Sequence, residues 1–322
     1  MDPEQFFTAS GVIIVAGKGG VGKTAVTAAL AVAASEVGLR TLVVEVEGKG
    51  GLSSMFGAEV LQFDQTCLVE PGDGRGGVFA RTITPDEALL DYLRSHGLQR
   101  ISNRLVSSGA LELISTAVPG IRDILVLGAV KALERAGEFG LIVLDAPAAG
   151  HAITFLRSAT GLADAVKVGP INSQAADVLE LLDDPARCRV MLVTVPEETP
   201  VNELIQTAYS LEDEVGVALG PVVVNGVVAA LSGLDTEPEV AAEDAGVTLL
   251  PGEADLLRSA AEFRRARMGL QRTQLDRMAE ELPLPQLQLP YLVTSQLDRD
   301  HLRLLAERLL ERIGDLPPVG VA

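Results

Sequence analysis

A glycine-rich stretch holds the residue types and spacing best suited to chemistry. It reads Gly17-Lys18-Gly19-Gly20-Val21-Gly22-Lys23-Thr24 and fits the phosphate-binding pattern G-x-x-x-x-G-K-[ST]. Glycines let backbone N–H groups turn inward around a phosphate, and the N-terminus of a following helix adds positive potential. We expect Lys23 to reach the β- and γ-phosphates of a nucleoside triphosphate, and the Thr24 hydroxyl to bind Mg²⁺. The alternative is a glycine-rich turn that fits the pattern by chance.

The flanks of this loop favour the first interpretation. Residues 11–16 are apolar and rich in β-branched side chains, which is typical of a buried parallel strand. Residues 25–37 are rich in alanine and predict a helix that ends at Gly38. The sequence therefore predicts the order strand, loop, helix that a phosphate-binding loop requires.

A second candidate metal ligand is Asp145, which follows the apolar run at residues 141–144. Ligands of open α/β sheets bind at the carboxyl ends of the strands. A carboxylate beside the phosphate loop would hold Mg²⁺ directly or through a water. The alternative is that Asp145 caps the N-terminus of the next helix.

Strand and helix patterns alternate along the rest of the chain. Strands are predicted at 41–46, 67–70, 78–84, 141–144, 190–195, 221–228 and 287–289. Late helices are predicted at 200–214, 254–281 and 298–313. This alternation predicts an α/β fold with a doubly wound, mostly parallel sheet. We expect a single domain over residues 1–322, with a helical subdomain at about 85–135 and 151–185.

Composition narrows the classes of partner. The net charge of −18 over 322 residues disfavours nucleic acid, because binding the phosphate backbone needs a basic surface. No apolar run approaches the roughly 18 residues of a membrane span, so we expect no stable membrane insertion. The N-terminus is acidic and lacks the basic start of a signal peptide, and we expect a cytoplasmic protein. The two cysteines, Cys67 and Cys188, fit no metal-binding spacing and are expected to be reduced core thiols.

Several stretches taken together resemble one family. With lysine as its second residue, GKGGVGKT resembles the deviant Walker A motif of the dimerising P-loop ATPases of the signal-recognition, MinD and BioD class. Four further segments are similar to the ArsA and tail-anchored-protein-targeting ATPases: residues 119–121 (PGI), 145–151 (DAPAAGH), 224–226 (VNG) and 264–290. The chain is thus identified as a divergent member of these anion-transporting-ATPase-like proteins, of the actinobacterial type.

The resemblance implies ATP and Mg²⁺ as cofactors, with Thr24 and Asp145 as the metal ligands. It implies a set of nucleotide-binding residues: Gly19, Gly20, Val21, Gly22, Lys23, Thr24, Ala25, Asn225, Pro290 and Leu292. Asn225 would contact adenine, and Pro290 and Leu292 would belong to the loop on the adenine side. Lys18 would be catalytic, reaching the nucleotide of a second protomer; the alternative is a solvated loop lysine.

The resemblance also implies a homodimer, or a heterodimer with a related ATPase chain. A protein cargo would bind on the helical subdomain, which is an insertion in the α/β fold. ATP hydrolysis would drive a conformational change.

One segment departs from the family pattern. The family has the switch I sequence DPAHN, whose Asp positions the attacking water. At the corresponding position this chain has Glu47, followed by Gly48-Lys49-Gly50-Gly51. Glu47 can still orient water as a catalytic residue, but it is one methylene longer, so we expect slow turnover. The alternatives are a solvated loop acid at this position, and a weakly hydrolysing regulatory or dimerisation partner of a related ATPase. A DNA-partitioning ATPase similar to ParA is a third hypothesis, which requires DNA binding.

Overall fold

The computed structural model describes residues 1–46, 50–95, 97, 99, 100, 103, 120–147, 149–165 and 170–317. Within them, eight strands form one sheet. The strands are β1 Val12–Gly17, β2 Thr41–Val46, β3 Thr66–Val69, β4 Val78–Ile83, β5 Leu141–Asp145, β6 Cys188–Thr194, β7 Val222–Val227 and β8 Gln286–Pro290. Every predicted strand is present with bounds close to those expected from the apolar runs.

The strands lie in the order β3-β4-β2-β5-β1-β6-β7-β8. All neighbouring pairs are parallel except β3 and β4, which are antiparallel at one edge. The prediction of a mostly parallel sheet is confirmed. Because β2, β5, β1 and β6 are adjacent and parallel, their carboxyl ends lie side by side at the same edge of the sheet.

The helices connect the strands across both faces of the sheet. Their bounds are α1 Pro3–Thr8, α2 Lys23–Glu36, α3 Gly51–Met55, α4 Pro85–Ser95, α5 Ile121–Ala136, α6 Ala149–Ala165, α7 Pro170–Leu182, α8 Glu198–Glu214, α9 Pro238–Asp244, α10 Glu253–Glu281 and α11 Arg299–Gly314. The sequence pattern did not predict the short helix α1. The two late helices, α10 and α11, begin and end within one residue of their predicted bounds.

Two hydrophobic layers cover the two faces of the sheet. One contains α1, α2 and α11, and side chains such as Phe7, Leu30 and Leu309 are fully buried in it. The other contains α4 to α8, and Leu127, Phe155 and Leu181 are buried there. A sheet with helices packed on both faces is the doubly wound arrangement that the alternation of strands and helices predicts.

Helices α4 to α7 occupy the described part of the predicted helical subdomain. Helix α5 packs against α4, α6 and α7. Their apolar side chains belong to the same buried layer as those of β1, β2 and β5. The division of the chain into one domain with a helical subdomain stays a prediction.

The two cysteines lie in different environments. Cys188 is completely buried, and burial raises the pKa of its thiol to about 12, so it stays protonated at neutral pH. Cys67 is exposed, so the prediction of a core thiol is wrong there. Cys67 lies in β3, the antiparallel strand at the end of the strand order, where the neighbouring Thr66 is exposed as well.

Helix α11 holds α2 against the sheet, and α2 begins in the phosphate-binding pattern. Leu309 is completely buried in the layer between these helices, whereas Leu304 of the same helix is 41% exposed. We expect Leu309→Ala to lower the free energy of unfolding by about 2–5 kcal/mol, because it leaves a cavity in a packed layer. Leu304→Ala should change it by less than about 0.5 kcal/mol. Urea denaturation measures both, and equal losses would contradict this packing.

Candidate functional site

The glycine-rich loop connects β1 to α2, and its glycines are required by its shape. A Cβ atom on Gly17 would lie 2.4 Å from the carbonyl oxygen of Val193 in the neighbouring strand β6. Gly20 and Gly22 have φ angles of +88° and +87°, which side-chain-bearing residues rarely adopt. Above Gly19 and Gly20, a Cβ would meet no atom within 4 Å. The loop therefore leaves its outer side open to a ligand.

Asn225 supports this loop from β7. Its Nδ2 donates a hydrogen bond to the carbonyl oxygen of Val21 at 3.0 Å. The same amide lies so close to Gly22 that a Cβ there would be 2.3 Å from Nδ2. The residue predicted to contact adenine thus lies directly beside the loop.

Two side chains hold the start of α2 against the end of β5. The Thr24 hydroxyl donates to Asp145 Oδ2 at 2.7 Å, and the Thr27 hydroxyl donates to Asp145 Oδ1 at 3.4 Å. Asp145 pairs in register with Val15 of β1, two residues before the loop begins. The next helix, α6, begins only at Ala149, so Asp145 is not at its N-terminus and the capping interpretation is not supported.

The oxygens of Thr24 and Asp145 are suited to Mg²⁺. Magnesium prefers oxygen ligands, and in nucleotide sites it takes one or two from the protein and the rest from phosphates and water. The 2.7 Å contact brings one hydroxyl and one carboxylate together beside an open loop. These residues fit the metal that the sequence pattern implies.

The two loop lysines make different contacts. Lys23 Nζ donates to the carbonyl oxygen of Lys18 at 3.1 Å. The Lys18 ammonium forms an ion pair with Glu203 of α8, and half of the Lys18 side chain is exposed. The Lys23 side chain therefore reaches across the loop to its first residues, whereas the Lys18 side chain extends away from the loop to α8.

Glu45 is a site-adjacent carboxylate that sequence reasoning missed. It is 3% exposed, pairs in register with Asp145, and accepts a hydrogen bond from the Thr82 hydroxyl at 3.4 Å. The available signal was a single charged residue inside the apolar run TLVVEV. Glu45 therefore adds a second carboxylate to the edge of the sheet that carries Asp145.

The opposite side of the site is formed by the ends of β7 and β8. Pro290 pairs in register with Val227, and Leu292 packs partly buried against the layer that contains α2. Asn225, Pro290 and Leu292 therefore belong to one edge of the fold, although they are far apart in sequence.

Gln271 of α10 fixes the backbone that follows Asn225. Its Nε2 donates to the Gly226 carbonyl oxygen at 3.1 Å, and its Oε1 accepts from the Val228 N–H at 2.8 Å. Sequence reasoning did not single out this glutamine, which is 5% exposed in a helix whose other described side chains are mostly exposed.

Most of the predicted site residues thus lie along one edge of the sheet. The set in the loop and the first turn of α2 comprises Lys18, Gly19, Gly20, Val21, Gly22, Lys23, Thr24 and Ala25. Glu47 lies outside the described residues. The individual catalytic and nucleotide-binding roles stay predictions.

In the part of the chain that the structure describes, no helix combines the length and apolar character needed to cross a membrane.

Comparisons with known proteins agree with the resemblance found in the sequence. The profile of the ArsA_ATPase family, described as anion-transporting ATPase, matches residues 10–175. The chain is 30% identical to the ATPase BagA of Mycobacterium tuberculosis, over 93% of this chain and 92% of that protein. It is 28% identical to the ATPase get3 of Schizosaccharomyces japonicus, over 52% of each chain, and 27% identical to the ATPase get3 of Aspergillus niger, over 63% and 57%. The chain belongs to the ArsA_ATPase family.

Proposed function

We propose that this protein is a Mg²⁺-dependent ATPase that binds ATP at a dimer interface and couples hydrolysis to a conformational change. The main support for this proposal is the open glycine loop, which lies beside the hydrogen-bonded oxygens of Thr24 and Asp145. Relatives named as ATPases, including BagA over most of its length, support the same activity. The cargo on which the change acts is a protein or an anion.

Different residues of the chain bind the phosphates, the metal ion and the base of ATP in this proposal. The loop glycines and the N-terminus of α2 receive the phosphates, and Lys23 exchanges its contact with the Lys18 carbonyl for phosphate oxygens. Thr24 and Asp145 hold Mg²⁺, which neutralises charge on the phosphates when bound. Asn225, Pro290 and Leu292 border the base. Glu47 orients the attacking water from the segment that follows β2.

Lys18 acts on the nucleotide of a second protomer in this proposal. A cation supplied from another chain stabilises the charge that develops during phosphoryl transfer. Half of the Lys18 side chain is exposed, so a partner can reach it. Such a dimer is formed by two copies of this chain, or by this chain and a related ATPase.

Exposed apolar side chains near the adenine side of the site support association. Phe263 and Leu270 of α10 are both 69% exposed, and Val293 is 93% exposed. Arg267 belongs to the same helix, and its guanidinium lies 5.5 Å from the centre of the Tyr291 ring. Large apolar side chains clustered on a surface are typical of interaction sites.

A second candidate function is a regulatory partner that binds ATP and dimerises but hydrolyses poorly. The observation that favours it is Glu47 in place of the family's Asp, followed by a segment with three glycines, Gly48, Gly50 and Gly51. Both functions require ATP binding, and they differ in turnover.

The Mg²⁺ site is tested by Thr24→Ala. Because the hydroxyl is a metal ligand in this proposal, we expect affinity for a fluorescent ATP analogue with Mg²⁺ to fall by about tenfold or more, equal to about 1.4 kcal/mol. Affinity in EDTA should change little. Thr24→Ser keeps the hydroxyl and should bind like the wild type. Equal losses with and without Mg²⁺ would contradict a metal ligand at this position.

Turnover separates the two functions. In single-turnover hydrolysis, Glu47→Gln should slow the wild-type rate by about a hundredfold or more, because an amide is a poor base for orienting water. Glu59→Gln, at an exposed acid in the same part of the chain, should leave the rate unchanged. A wild type that binds ATP without turnover would favour the regulatory partner. Equal rates for wild type and Glu47→Gln would exclude Glu47 as the catalytic carboxylate that orients the water.

A further inference from the structure

The ion pair of Lys18 and Glu203 joins the glycine loop to a helix on the far side of β6. Glu203 lies in the second turn of α8, and its carboxylate Oε1 contacts the Lys18 ammonium. The two side chains are 50% and 29% exposed, so the carboxylate is the more buried partner. This contact lies within one protomer, whereas in the proposed function Lys18 acts on the nucleotide of a second protomer.

Glu203 is held firmly in place. Its neighbours Val201 and Leu204 are 0% and 5% exposed and anchor this turn of α8 in the hydrophobic layer. The Thr207 hydroxyl donates to the Glu203 carbonyl oxygen at 2.6 Å. The backbone that carries the Glu203 carboxylate is therefore anchored beside the loop.

The Glu203 carboxylate depends on Lys18 for compensation. Among the residues that the structure describes, Lys18 is the cation in ion-pair contact with it. Within the same residues its second oxygen, Oε2, is buried and has no hydrogen-bond partner. Withdrawal of Lys18 would leave a partly buried carboxylate without a counter-charge, and this has a free-energy cost.

We propose that Glu203 is a positioning residue for Lys18. It holds the lysine against α8 in the free protomer and releases it when the lysine binds the nucleotide of a second protomer. This inference rests on the proposed function, in which Lys18 acts between protomers.

Two consequences follow from this competition for one ammonium group. Lys18 of a free protomer is held by its own chain, so hydrolysis depends on assembly. A triphosphate carries more negative charge than a diphosphate and competes better with Glu203, so the dimer is selective for ATP over ADP.

The test is the dissociation constant of the dimer in a non-hydrolysable ATP analogue with Mg²⁺, measured by sedimentation with wild type and Glu203→Gln. The amide keeps the side-chain shape and removes the charge. Breaking one partly exposed ion pair changes an equilibrium by roughly two- to fivefold. A symmetric dimer breaks two such pairs, so the dissociation constant of Glu203→Gln should be lower by roughly fourfold to twenty-fivefold.

Two controls separate this effect from general charge or stability effects. Glu212→Gln removes an exposed acid from the same helix and should leave the dissociation constant unchanged. In a Lys18→Ala background, Glu203→Gln should also have no effect, because the residue that it positions is gone. Thermal melting checks the fold, and Glu203→Ala serves as a second uncharged variant.

Three other results would contradict the positioning role of Glu203. If wild type dimerises with the analogue and neither uncharged variant of Glu203 associates more tightly, the positioning role is wrong and the proposed dimer stands. A similar change in the Lys18→Ala background also overturns the positioning role, because the effect then does not pass through Lys18. A wild type that stays monomeric with the analogue contradicts the dimer itself, and this inference with it.

Discussion

The hydrogen bond from the Thr24 hydroxyl to Asp145 is the contact on which the candidate site depends. It joins the first turn of α2 to the end of β5, two elements that are separated by more than a hundred residues of chain. Because the parallel register places β5 beside β1, the hydroxyl and carboxylate meet at the open side of the glycine loop. Oxygens in this position can hold a magnesium ion against bound phosphates. The proposed metal site therefore depends on strand order as much as on the loop sequence.

The same edge of the sheet gathers the other groups that the proposed reaction uses. Asn225 reaches the loop from β7, and Gln271 fixes the backbone that follows this asparagine. Helix α2 is buried between the sheet and α11, so the loop at its N-terminus adjoins a closely packed layer. Lys18 differs from these groups because it is half exposed and bound to Glu203. One lysine that is half exposed beside a glycine loop is consistent with the proposed function, in which this lysine acts on a second protomer.

The sequence predicts this fold well wherever the signal is local. Apolar runs predict the strands, and the residues around Thr24 predict a phosphate-binding loop, because both patterns depend on neighbours in the chain. Contacts between distant segments carry no such signal. Nothing near Glu203 indicates that its carboxylate meets Lys18, and the burial of Glu45 and Gln271 follows from packing that only the folded sheet creates. The exposure of Cys67 was missed for the same reason, since a short apolar run does not reveal that its strand lies at an edge.

In the proposed function, Lys18 of one protomer acts on ATP bound to another, and complementation between two inactive variants tests this most directly. Lys18→Ala retains a nucleotide site but lacks the transferable cation, whereas Lys23→Ala retains Lys18 but loses phosphate binding. Each variant alone should hydrolyse ATP very slowly. In a mixed dimer, the intact Lys18 of one chain meets the ATP of the other, so mixing should restore hydrolysis well above the sum of the two. If mixed dimers form and hydrolysis does not recover, Lys18 does not act between protomers.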